Sequence, residues 1–505
     1  MDTTPYWLST AQTEPYPSLS ETLTVDVLVV GGGITGLTTA YLLRRAGMSV
    51  ALVERGRIGR IDTGHTTAHL TAVTDLRLHE LVENFGRDHA QAVWDAGAAA
   101  IEQIEENATR EKIACEFTRV PGYLHAPRND GGETDRQKFQ QDAELANEFG
   151  FDAAYLDSVP LMERPGIRFS NQAKFHPLKY LAGLAPLIPG ENSYLFEETE
   201  PDEFDDQKRR ARFGRHWINY GLLVIATHNP ALGEAGIVSG TTFQTKLALY
   251  TSYAIGARIP RDSLPRASFW DTNDPYQYLR VDRHGDEDYA ILGGEDHKTG
   301  QVEETESRYH RLESSLRDLA PQAIVDHRWS GQVIVTSDGL PFIGEFSPGQ
   351  FIATGFAGNG MTFGTVAAMM ASDWAAQKKN PWRDLFSPAR KKLKGSAWDY
   401  LKENADYPYY LVKTRLAAPE GESLAALSPG EGKILKLRGK KIAAYRDPSG
   451  KVEQCSAICT HMGCVVRWNE AETTWDCPCH GSRFRTDGSV ISGPAETPLA
   501  SPGGG

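Results

Sequence analysis

A run of glycines between an apolar strand and a helix restricts the fold more than any other feature of this chain. Residues 25–30 (VDVLVV) are valine-rich, as buried parallel strands are, and the turn GGGITG follows them. The stretch LTTAYLLRRAG is typical of a helix, and MSVALVER is typical of a second strand. This order predicts a βαβ unit of the kind that binds dinucleotides.

The spacing Gly31-x-Gly33-x-x-Gly36 gives each glycine a physical role. The first permits a tight turn, the second lets a pyrophosphate approach the backbone, and the third lets helix and strand pack closely. The helix N-terminus offers N–H donors to phosphate. Glu54 ends the second strand 18 residues later and can accept hydrogen bonds from ribose hydroxyls. The pattern does not distinguish an NAD-binding site from an FAD-binding site. The alternative to dinucleotide binding is a glycine turn with a purely structural role.

A second motif, near the end of the chain, has the spacing of metal ligands. The stretches CTHMGC and CPCHGS hold four of the six cysteines. The candidate ligands are Cys459, His461, Cys477 and His480. Two interpretations compete: a tetrahedral structural zinc site, or a [2Fe–2S] cluster with two cysteines on one iron and two histidines on the other.

Composition excludes several functions. The 505 residues suggest about three structural units. The net charge of −13 argues against nucleic-acid binding through a basic surface. No apolar run reaches the roughly 20 residues of a membrane span, and the N-terminus lacks the pattern of a secretory signal. We therefore expect a cytoplasmic protein, in which clustered cysteines are metal ligands more often than structural disulfides.

Four further stretches resemble the D-amino-acid oxidase (glycine/sarcosine oxidase-like) family of FAD-dependent oxidoreductases. They are TSDGLPFIGEF, FIATGFAGNGMTFG, GHTTAHLT and NQAKFHPLKYLAGLA. The resemblance covers roughly residues 24–375. It implies FAD, held by a doubly wound, Rossmann-like α/β domain into which a mostly antiparallel α+β substrate domain is inserted.

The same resemblance implies site residues. Gly355, Gly358, Gly360 and Met361 would pass beside the flavin ring, and a helix starting near Met361 would stabilise negative charge on the reduced flavin. The implied catalytic residues are His297 and Met361. The implied FAD-binding residues are Gly31, Gly33, Gly36, Glu54, His65, Asp338, Gly358, Gly360, Met361 and Thr362.

Three details leave alternatives open. His65 matches a histidine that some relatives attach covalently to FAD, but Gly64 stands where they have tryptophan, so a non-covalent contact or a structural role is also possible. No lysine precedes His297 where related oxidases carry one, which favours a dehydrogenase. Four residues could either line a pocket for a substrate carboxylate or be ordinary residues of a sheet: Tyr253, Tyr276, Tyr278 and Arg280.

The cysteine motifs resemble the Rieske family of the cytochrome bc type. That resemblance implies a small all-β domain and a Cys464–Cys479 disulfide joining the two cluster loops. The expected boundaries are 1–383 for the oxidoreductase region (FAD domain about 24–110, 171–235 and 330–383; substrate domain about 111–170 and 236–329), 384–415 for a linker and 416–505 for the Rieske domain.

Together the motifs predict an enzyme that dehydrogenates a small-molecule amine or amino acid. FAD takes up two electrons and the cluster carries one at a time, so electrons would pass between them and an external one-electron carrier. Two alternatives remain: a reductase that uses the path in reverse, and a redox sensor whose cluster alters the binding of a partner.

The residues after the second ligand pair generate a prediction about reduction potential. In high-potential Rieske proteins a serine and a tyrosine here donate hydrogen bonds to the cluster; this chain has Ser482 but Phe484. Rieske potentials span roughly −150 to +300 mV, and donated hydrogen bonds raise them. We expect a potential below that of respiratory Rieske proteins, an increase in Phe484→Tyr and a decrease in Ser482→Ala. Protein-film voltammetry measures all three; an intact cluster without an increase in Phe484→Tyr contradicts the prediction.

Overall fold

The computed structural model describes residues 2–128, 135–229, 247–390 and 406–502. The strands of the N-terminal part are β1 (Leu23–Val30), β2 (Val50–Val53), β3 (His69–Leu70), β4 (Thr118–His125), β5 (Ala153–Leu156), β6 (Gly166–Lys174), β7 (Tyr194–Phe196), β8 (Glu203–Asp205), β9 (Arg210–Phe213), β10 (His216–Ile225), β11 (Leu247–Ile259), β12 (Ser268–Asp271), β13 (Gln277–His284), β14 (Glu287–Lys298), β15 (Ile324–Thr336), β16 (Phe342–Ser347) and β17 (Gln350–Thr354). The C-terminal strands are β18 (Gly432–Leu437), β19 (Lys440–Arg446), β20 (Val452–Ser456), β21 (Arg467–Asn469), β22 (Thr474–Asp476), β23 (Arg483–Phe484) and β24 (Val490–Ser492).

The α-helices of the described residues are α1 (Tyr6–Thr10), α2 (Ile34–Arg45), α3 (Asp62–His65), α4 (Leu78–Phe85), α5 (Arg87–Arg110), α6 (Asp135–Glu148), α7 (Pro177–Leu184), α8 (Glu306–Leu319), α9 (Gly360–Ala375) and α10 (Asp406–Leu416). Short 3-10 turns cover Ala185–Leu187 and Leu424–Ala426. None of these helices has the length and apolar character that crossing a membrane requires.

The expected βαβ unit is the centre of an eight-stranded sheet with the order β16-β17-β10-β1-β2-β7. The five strands from β17 to β7 are parallel, whereas β16 and the β8–β9 hairpin add antiparallel edges. Helices α2 and α9 pack against each other beside β1 and β17. The apolar runs in the sequence are explained by this arrangement, because a parallel sheet covered by helices buries its strands on both faces.

The second sheet has nine strands, in the order β15-β11-β14-β13-β12-β4-β6-β3 with β5 beside β6. All its pairs are antiparallel except β12 with β4. Strands β11 to β14 lie within the region expected for the substrate domain at 236–329, of which positions 236–246 lie outside the described residues. The α/β fold with an inserted, mostly antiparallel α+β region is therefore confirmed.

The C-terminal part is all-β apart from helix α10. Strands β18, β19 and β20 form one antiparallel sheet, and β21 to β24 form another. Of the expected linker, residues 391–405 lie outside the described residues, and helix α10 lies at its end. The small all-β C-terminal domain expected from the sequence is present.

The contact between β1 and α2 generates a stability prediction. A Cβ atom at Gly36 would lie 1.8 Å from the carbonyl oxygen of Gly31, so a side chain forces helix and strand apart. A Cβ atom at Gly33 would meet only the Thr63 hydroxyl, at 3.1 Å, and φ at Gly33 is −81°. We expect Gly36→Ala to lower the free energy of unfolding by about 2 kcal/mol or more, as overpacked sites do.

Gly33→Ala is the matched control, and we expect it to leave that free energy nearly unchanged. Both variants are measured without bound FAD, because a ligand of the folded state would add its own stabilisation. Urea unfolding followed by circular dichroism compares them. Equal destabilisation by the two substitutions would contradict the assigned packing role of Gly36.

Candidate functional site

A cavity of about 910 Å³ lies between the two large sheets and reaches the C-terminal domain. The glycine turn after β1 lines one end, and the segment before α9 lines the other. This volume falls at the upper end of the usual range for ligand pockets, roughly 300–1,000 Å³. The cavity therefore joins the predicted nucleotide-binding turn to the residues expected beside a flavin ring.

The glycine turn leaves its backbone open on the cavity side. Gly31 has φ +110°, and a Cβ atom there would lie 2.7 Å from the carbonyl oxygen of Ala226. At Gly33 the corresponding space is open except for Thr63, whose hydroxyl accepts a hydrogen bond from the N–H of Ile34 at 3.1 Å. Since α2 begins at Ile34, its N-terminal N–H groups lie at this open surface, which fits a pyrophosphate.

Glu54 lies beside the same turn. Its carboxylate accepts hydrogen bonds from the N–H groups of Gly32 at 2.7 Å and Gly56 at 2.9 Å. Burial raises the pKa of Glu54, whereas these two N–H groups act in the opposite direction. The carboxylate lines the cavity, so it is positioned to accept further hydrogen bonds from a ribose.

At the other end, the turn between β17 and α9 brings backbone into the cavity wall. Gly355, Gly358, Gly360 and Met361 all line the cavity. Their place beside a flavin ring stays a prediction. Gly358 has φ +79°, the left-handed region that favours glycine. Thr362 lies behind this wall, where its hydroxyl donates to the carbonyl oxygen of Thr71 at 3.0 Å.

His65 lies in the cavity wall at the end of α3. Its Nδ1 is 2.7 Å from the carbonyl oxygen of Ile61, and its own carbonyl oxygen accepts a hydrogen bond from the indole N–H of Trp329 at 2.9 Å. Burial lowers the pKa of His65, which favours the neutral imidazole. The ring is therefore accessible for contact with a ligand in the cavity.

Besides Gly36 and Thr362, two further predicted site residues lie away from the cavity lining. His297 is 7% exposed, with Nε2 3.0 Å from the hydroxyl of Tyr253, and burial lowers its pKa to about 4. Asp338 forms an ion pair with Arg390 at 2.6 Å and accepts a hydrogen bond from the N–H of Leu340. In this structure both side chains are engaged in contacts within the protein.

Arg280, considered for a carboxylate pocket, is also engaged within the protein. Its guanidinium pairs with Asp282 at 2.8 Å and donates to three backbone carbonyl oxygens, of Thr67, Ala68 and Phe175. The side chain is 2% exposed and does not line the cavity. Arg280 therefore ties the sheet to the neighbouring loops.

The two cysteine-rich loops have the same backbone geometry. In the first, the N–H of Cys459 donates to the carbonyl oxygen of Cys464 at 2.8 Å, and the N–H of Gly463 donates to that of Cys459 at 3.0 Å. In the second, the N–H of Cys477 donates to the carbonyl oxygen of Ser482 at 2.8 Å, and the N–H of Gly481 donates to the carbonyl oxygen of Cys477 at 2.9 Å. The two loops therefore present their ligands with matched geometry.

The four candidate metal ligands form two pairs, one of cysteines and one of histidines, each with one member from each loop. Cys459 and Cys477 are buried and share a hydrogen bond. This bond from Cys477 lowers the pKa of Cys459 to about 7, and the N–H groups of His461 and Met462 and the Ser482 hydroxyl act in the same direction. The rings of His461 and His480 lie 4.9 Å apart. Buried sulfurs with N–H donors, opposite paired imidazoles, fit a cluster bound by two cysteines and two histidines.

The other two loop cysteines, Cys464 and Cys479, form a disulfide across 15 residues of chain. This bond joins the two loops, and its sulfurs lie within 4.8 Å of the Cys477 sulfur. Ser482, predicted to donate to the cluster, accepts a hydrogen bond from the N–H of Ala495 at 3.0 Å. Phe484 is fully buried in β23.

The second cysteine loop packs directly on the oxidoreductase sheets. The Nε2 of Gln332 donates to the carbonyl oxygen of Gly481 at 2.7 Å, and its Oε1 accepts from the hydroxyl of Ser492 at 2.9 Å. Gln332 and Ser492 both line the large cavity. The side chain of Gln301 donates to the carbonyl oxygen of Pro478 at 3.1 Å. Both domains therefore contribute to one cavity wall.

The structure also identifies two carboxyl groups, in or next to the cavity wall, that the sequence did not single out. Asp75 lines the cavity beside Gly358, together with Tyr276. Asp296 lies next to them in β14, and the pKa of each of the two carboxyl groups is raised to about 7 by burial and by neighbouring carboxylates. Asp75 follows a short strand without a recognisable motif, so no sequence signal marked it.

Known proteins match both parts of the chain. A family model described as FAD dependent oxidoreductase matches residues 26–374, and one described as Rieske [2Fe-2S] domain matches residues 422–503. The chain is 33% identical to the putative Rieske 2Fe-2S iron-sulfur protein YhfW of Bacillus subtilis, over 98% of this chain and 96% of that protein. It is 22% identical to the gamma-glutamylputrescine oxidoreductase of Escherichia coli, over 73% and 87% of the two chains.

A solved structure gives the same result for the fold. Glycine oxidase from Geobacillus kaustophilus superposes with a TM-score of 0.61 at 18% identity, over 73% of this chain and 99% of that one. The FAD dependent oxidoreductase model spans more than half of the 505 residues. The chain therefore belongs to the FAD dependent oxidoreductase family of D-amino-acid oxidase type and carries a C-terminal Rieske [2Fe–2S] domain.

Proposed function

We propose that this enzyme dehydrogenates a small-molecule amine or amino acid, and that electrons pass from FAD to the Rieske cluster and then to an external one-electron carrier. FAD supplies the acceptor for hydride from a C–H bond next to nitrogen. The cluster carries one electron at a time. The chain's own contribution is to hold both groups in fixed positions, close to a common wall.

The observation that carries this proposal is the wall shared by the two domains. Gln332 lines the FAD cavity and donates a hydrogen bond to Gly481, the residue after the cluster ligand His480. A Cβ atom at Gly300 would lie 2.8 Å from the carbonyl carbon of Cys477, another ligand. A cluster held by this loop would therefore be separated from the cavity by one layer of protein.

The cavity residues have separate roles in holding FAD. The open turn at Gly33 and the N-terminus of α2 would bind the pyrophosphate, and Glu54 would accept hydrogen bonds from the ribose. Gly358 and Met361 would lie against the flavin ring. Since α9 begins at Gly360, its N-terminal N–H groups favour negative charge at this end of the cofactor.

A dehydrogenase is favoured over an oxidase by the residues around the cavity. Its described lining includes four arginines but no lysine, the residue that related oxidases use for oxygen activation. The similarity to an oxidoreductase named for gamma-glutamylputrescine supports an amine substrate. The expected cytoplasmic location stays a prediction.

The proposal predicts that a substrate amine bleaches the flavin and reduces the cluster in the same anaerobic experiment. Candidate amines are added to the holoenzyme while absorbance follows the flavin and electron paramagnetic resonance follows the cluster. We expect flavin bleaching first, then a reduced cluster, and turnover when a one-electron dye is added.

Other results would favour the alternatives. If an external donor reduces the cluster and FAD then passes electrons to an acceptor, the enzyme is a reductase. Cluster reduction without turnover of any substrate favours a redox sensor. Rapid production of hydrogen peroxide in air, at the rate seen with the dye, would identify an oxidase.

The shared wall predicts a defined effect of Gln332→Leu. This change removes the hydrogen bond to Gly481, which is worth about 1 kcal/mol, so docking of the cluster loop should weaken. We expect flavin bleaching at the wild-type rate, and cluster reduction slower by about fivefold. Stopped-flow absorbance under anaerobic conditions separates the two phases.

Tyr309→Phe is the matched control for this experiment. Its hydroxyl donates to Glu472 of the Rieske domain at 2.5 Å, but Tyr309 does not line the cavity. We expect this loss of an interdomain hydrogen bond to leave cluster reduction close to the wild-type rate. Equal effects of the two substitutions would assign Gln332 a general role in docking rather than a local one.

A further inference from the structure

We propose that the substrate-binding end of the cavity recognises an alkylammonium group through the carboxylate of Asp75, and that the substrates are amines without an α-carboxylate. This inference rests on the proposed function, since it takes Gly358 to lie beside the flavin. It narrows the substrate class from amine or amino acid to amine.

Asp75 is placed where a reacting amine would lie. Its Oδ2 is 2.8 Å from the position that a Cβ atom of Gly358 would occupy, and the hydroxyl of Tyr276 is 3.2 Å from the same position. Both side chains line the cavity. The carboxylate and the phenol therefore flank the backbone that is expected to contact the flavin ring.

The carboxylate of Asp75 has no cation to balance it. Among the described residues it forms no ion pair, and the charged group that acts on it is a second carboxylate, that of Asp296. Oδ1 of Asp296 is itself buried and has no hydrogen-bond partner among the described residues. An ammonium group of the substrate would supply the missing positive charge at Asp75.

The charge of this pair suits one ammonium group. Burial and, to a lesser extent, the negative charge of Asp296 raise the pKa of Asp75 to about 7. Burial also raises the pKa of Asp296 to about 7. Two neighbouring carboxyl groups with raised pKa values resist full ionisation at neutral pH until a cation binds beside them. The site is therefore matched to a single cationic nitrogen.

Aromatic side chains complete the walls of this end. The rings of Tyr276 and Tyr278 lie 5.4 Å apart, and both residues line the cavity, as does Trp270. Aromatic faces attract cations and also bury the apolar part of an alkylamine. The walls therefore favour a cation with a hydrocarbon chain.

Among the described residues near Asp75, a substrate carboxylate would find no arginine without a partner. Arg280 is engaged with Asp282 and backbone carbonyl oxygens. Arg77 lines the cavity but pairs with Asp142 at 2.8 Å and lies over the ring of Phe139. The other arginines of the described lining are Arg55, Arg57 and Arg60, in the loop after β2. This loop lies beside the glycine turn, because the N–H of Gly59 donates to the carbonyl oxygen of Gly32. An α-amino acid would bring a second negative charge close to Asp75, which has no ion pair among the described residues.

The test uses matched ligand pairs on the FAD-loaded full chain. Each pair is an amine and the amino acid that differs from it by the α-carboxylate: 2-phenylethylamine with phenylalanine, and 1,4-diaminobutane with ornithine. Dissociation constants come from perturbation of the flavin absorbance under anaerobic conditions, and bleaching is recorded in the same titration. We expect the amine of at least one pair to bind about 10-fold or more tightly than its amino acid.

Asp75→Asn removes the charge but keeps the size of the side chain. We expect it to raise the dissociation constant of the amine by about 10- to 100-fold, the effect of losing a charge-assisted hydrogen bond, with FAD content unchanged. The control is Asp271→Asn. Asp271 also lines the cavity, but its Oδ1 already accepts from the N–H groups of Asn273 and Gln277, which an amide oxygen can replace. We expect the control to bind amines as the wild type does.

The outcomes separate this inference from the proposed function. Tight amine binding that depends on Asp75 but gives no flavin bleaching would overturn the proposed oxidation and leave the recognition site standing. Bleaching by the amino acids in preference to the amines would support oxidation and overturn the inference. Unchanged amine binding in Asp75→Asn, or no binding of any amine, would also overturn it.

Discussion

The contact between the second cysteine loop and the oxidoreductase sheets is the constraint on which the arrangement of the two domains depends. At two positions only glycine fits. A Cβ atom at Gly300 would lie 2.8 Å from the backbone of Cys477, and one at Gly481, where φ is +73°, would lie 2.7 Å from the Cβ atom of Leu249. The backbone of Gly300 thus packs directly on that of Cys477, and the backbone of Gly481 packs directly on the side chain of Leu249. A small displacement of either domain would break these contacts.

Strand β15 connects this contact to the cofactor cavity. Trp329 and Gly331 lie against the carbonyl oxygen of His65 on one side, while Gln332 reaches the cysteine loop on the other. Successive residues of a strand point to opposite faces, so a single strand can contact both cofactor-binding loops. The same regularity makes the coupling rigid, because β15 pairs with β11 along most of its length.

The sequence predicted the features that depend on local pattern. The glycine spacing, the alternating strands and the paired ligand motifs each encode their own geometry within a few residues. The sequence did not predict what depends on distant pairing. Gln332 and Gly481 are 149 residues apart. A register shift between Thr251 and Tyr253 interrupts the pairing of β11 with β14, and in β14 the residue that acts on the cavity carboxyl group of Asp75 is Asp296. A bulge of this kind leaves no clear signal in a single sequence.

The two ends of the cavity differ in charge, and this difference orients what binds there. One end carries the N-terminus of α2, whose N–H groups suit the negative charges of a pyrophosphate. The other end carries the carboxyl group of Asp75, unpaired among the described residues, with Asp296 close by. Inside an enclosed cavity such charges act more strongly than they do in water. An anionic cofactor group is therefore repelled from the end where a cationic substrate is attracted, so a single continuous cavity can hold both in a fixed order.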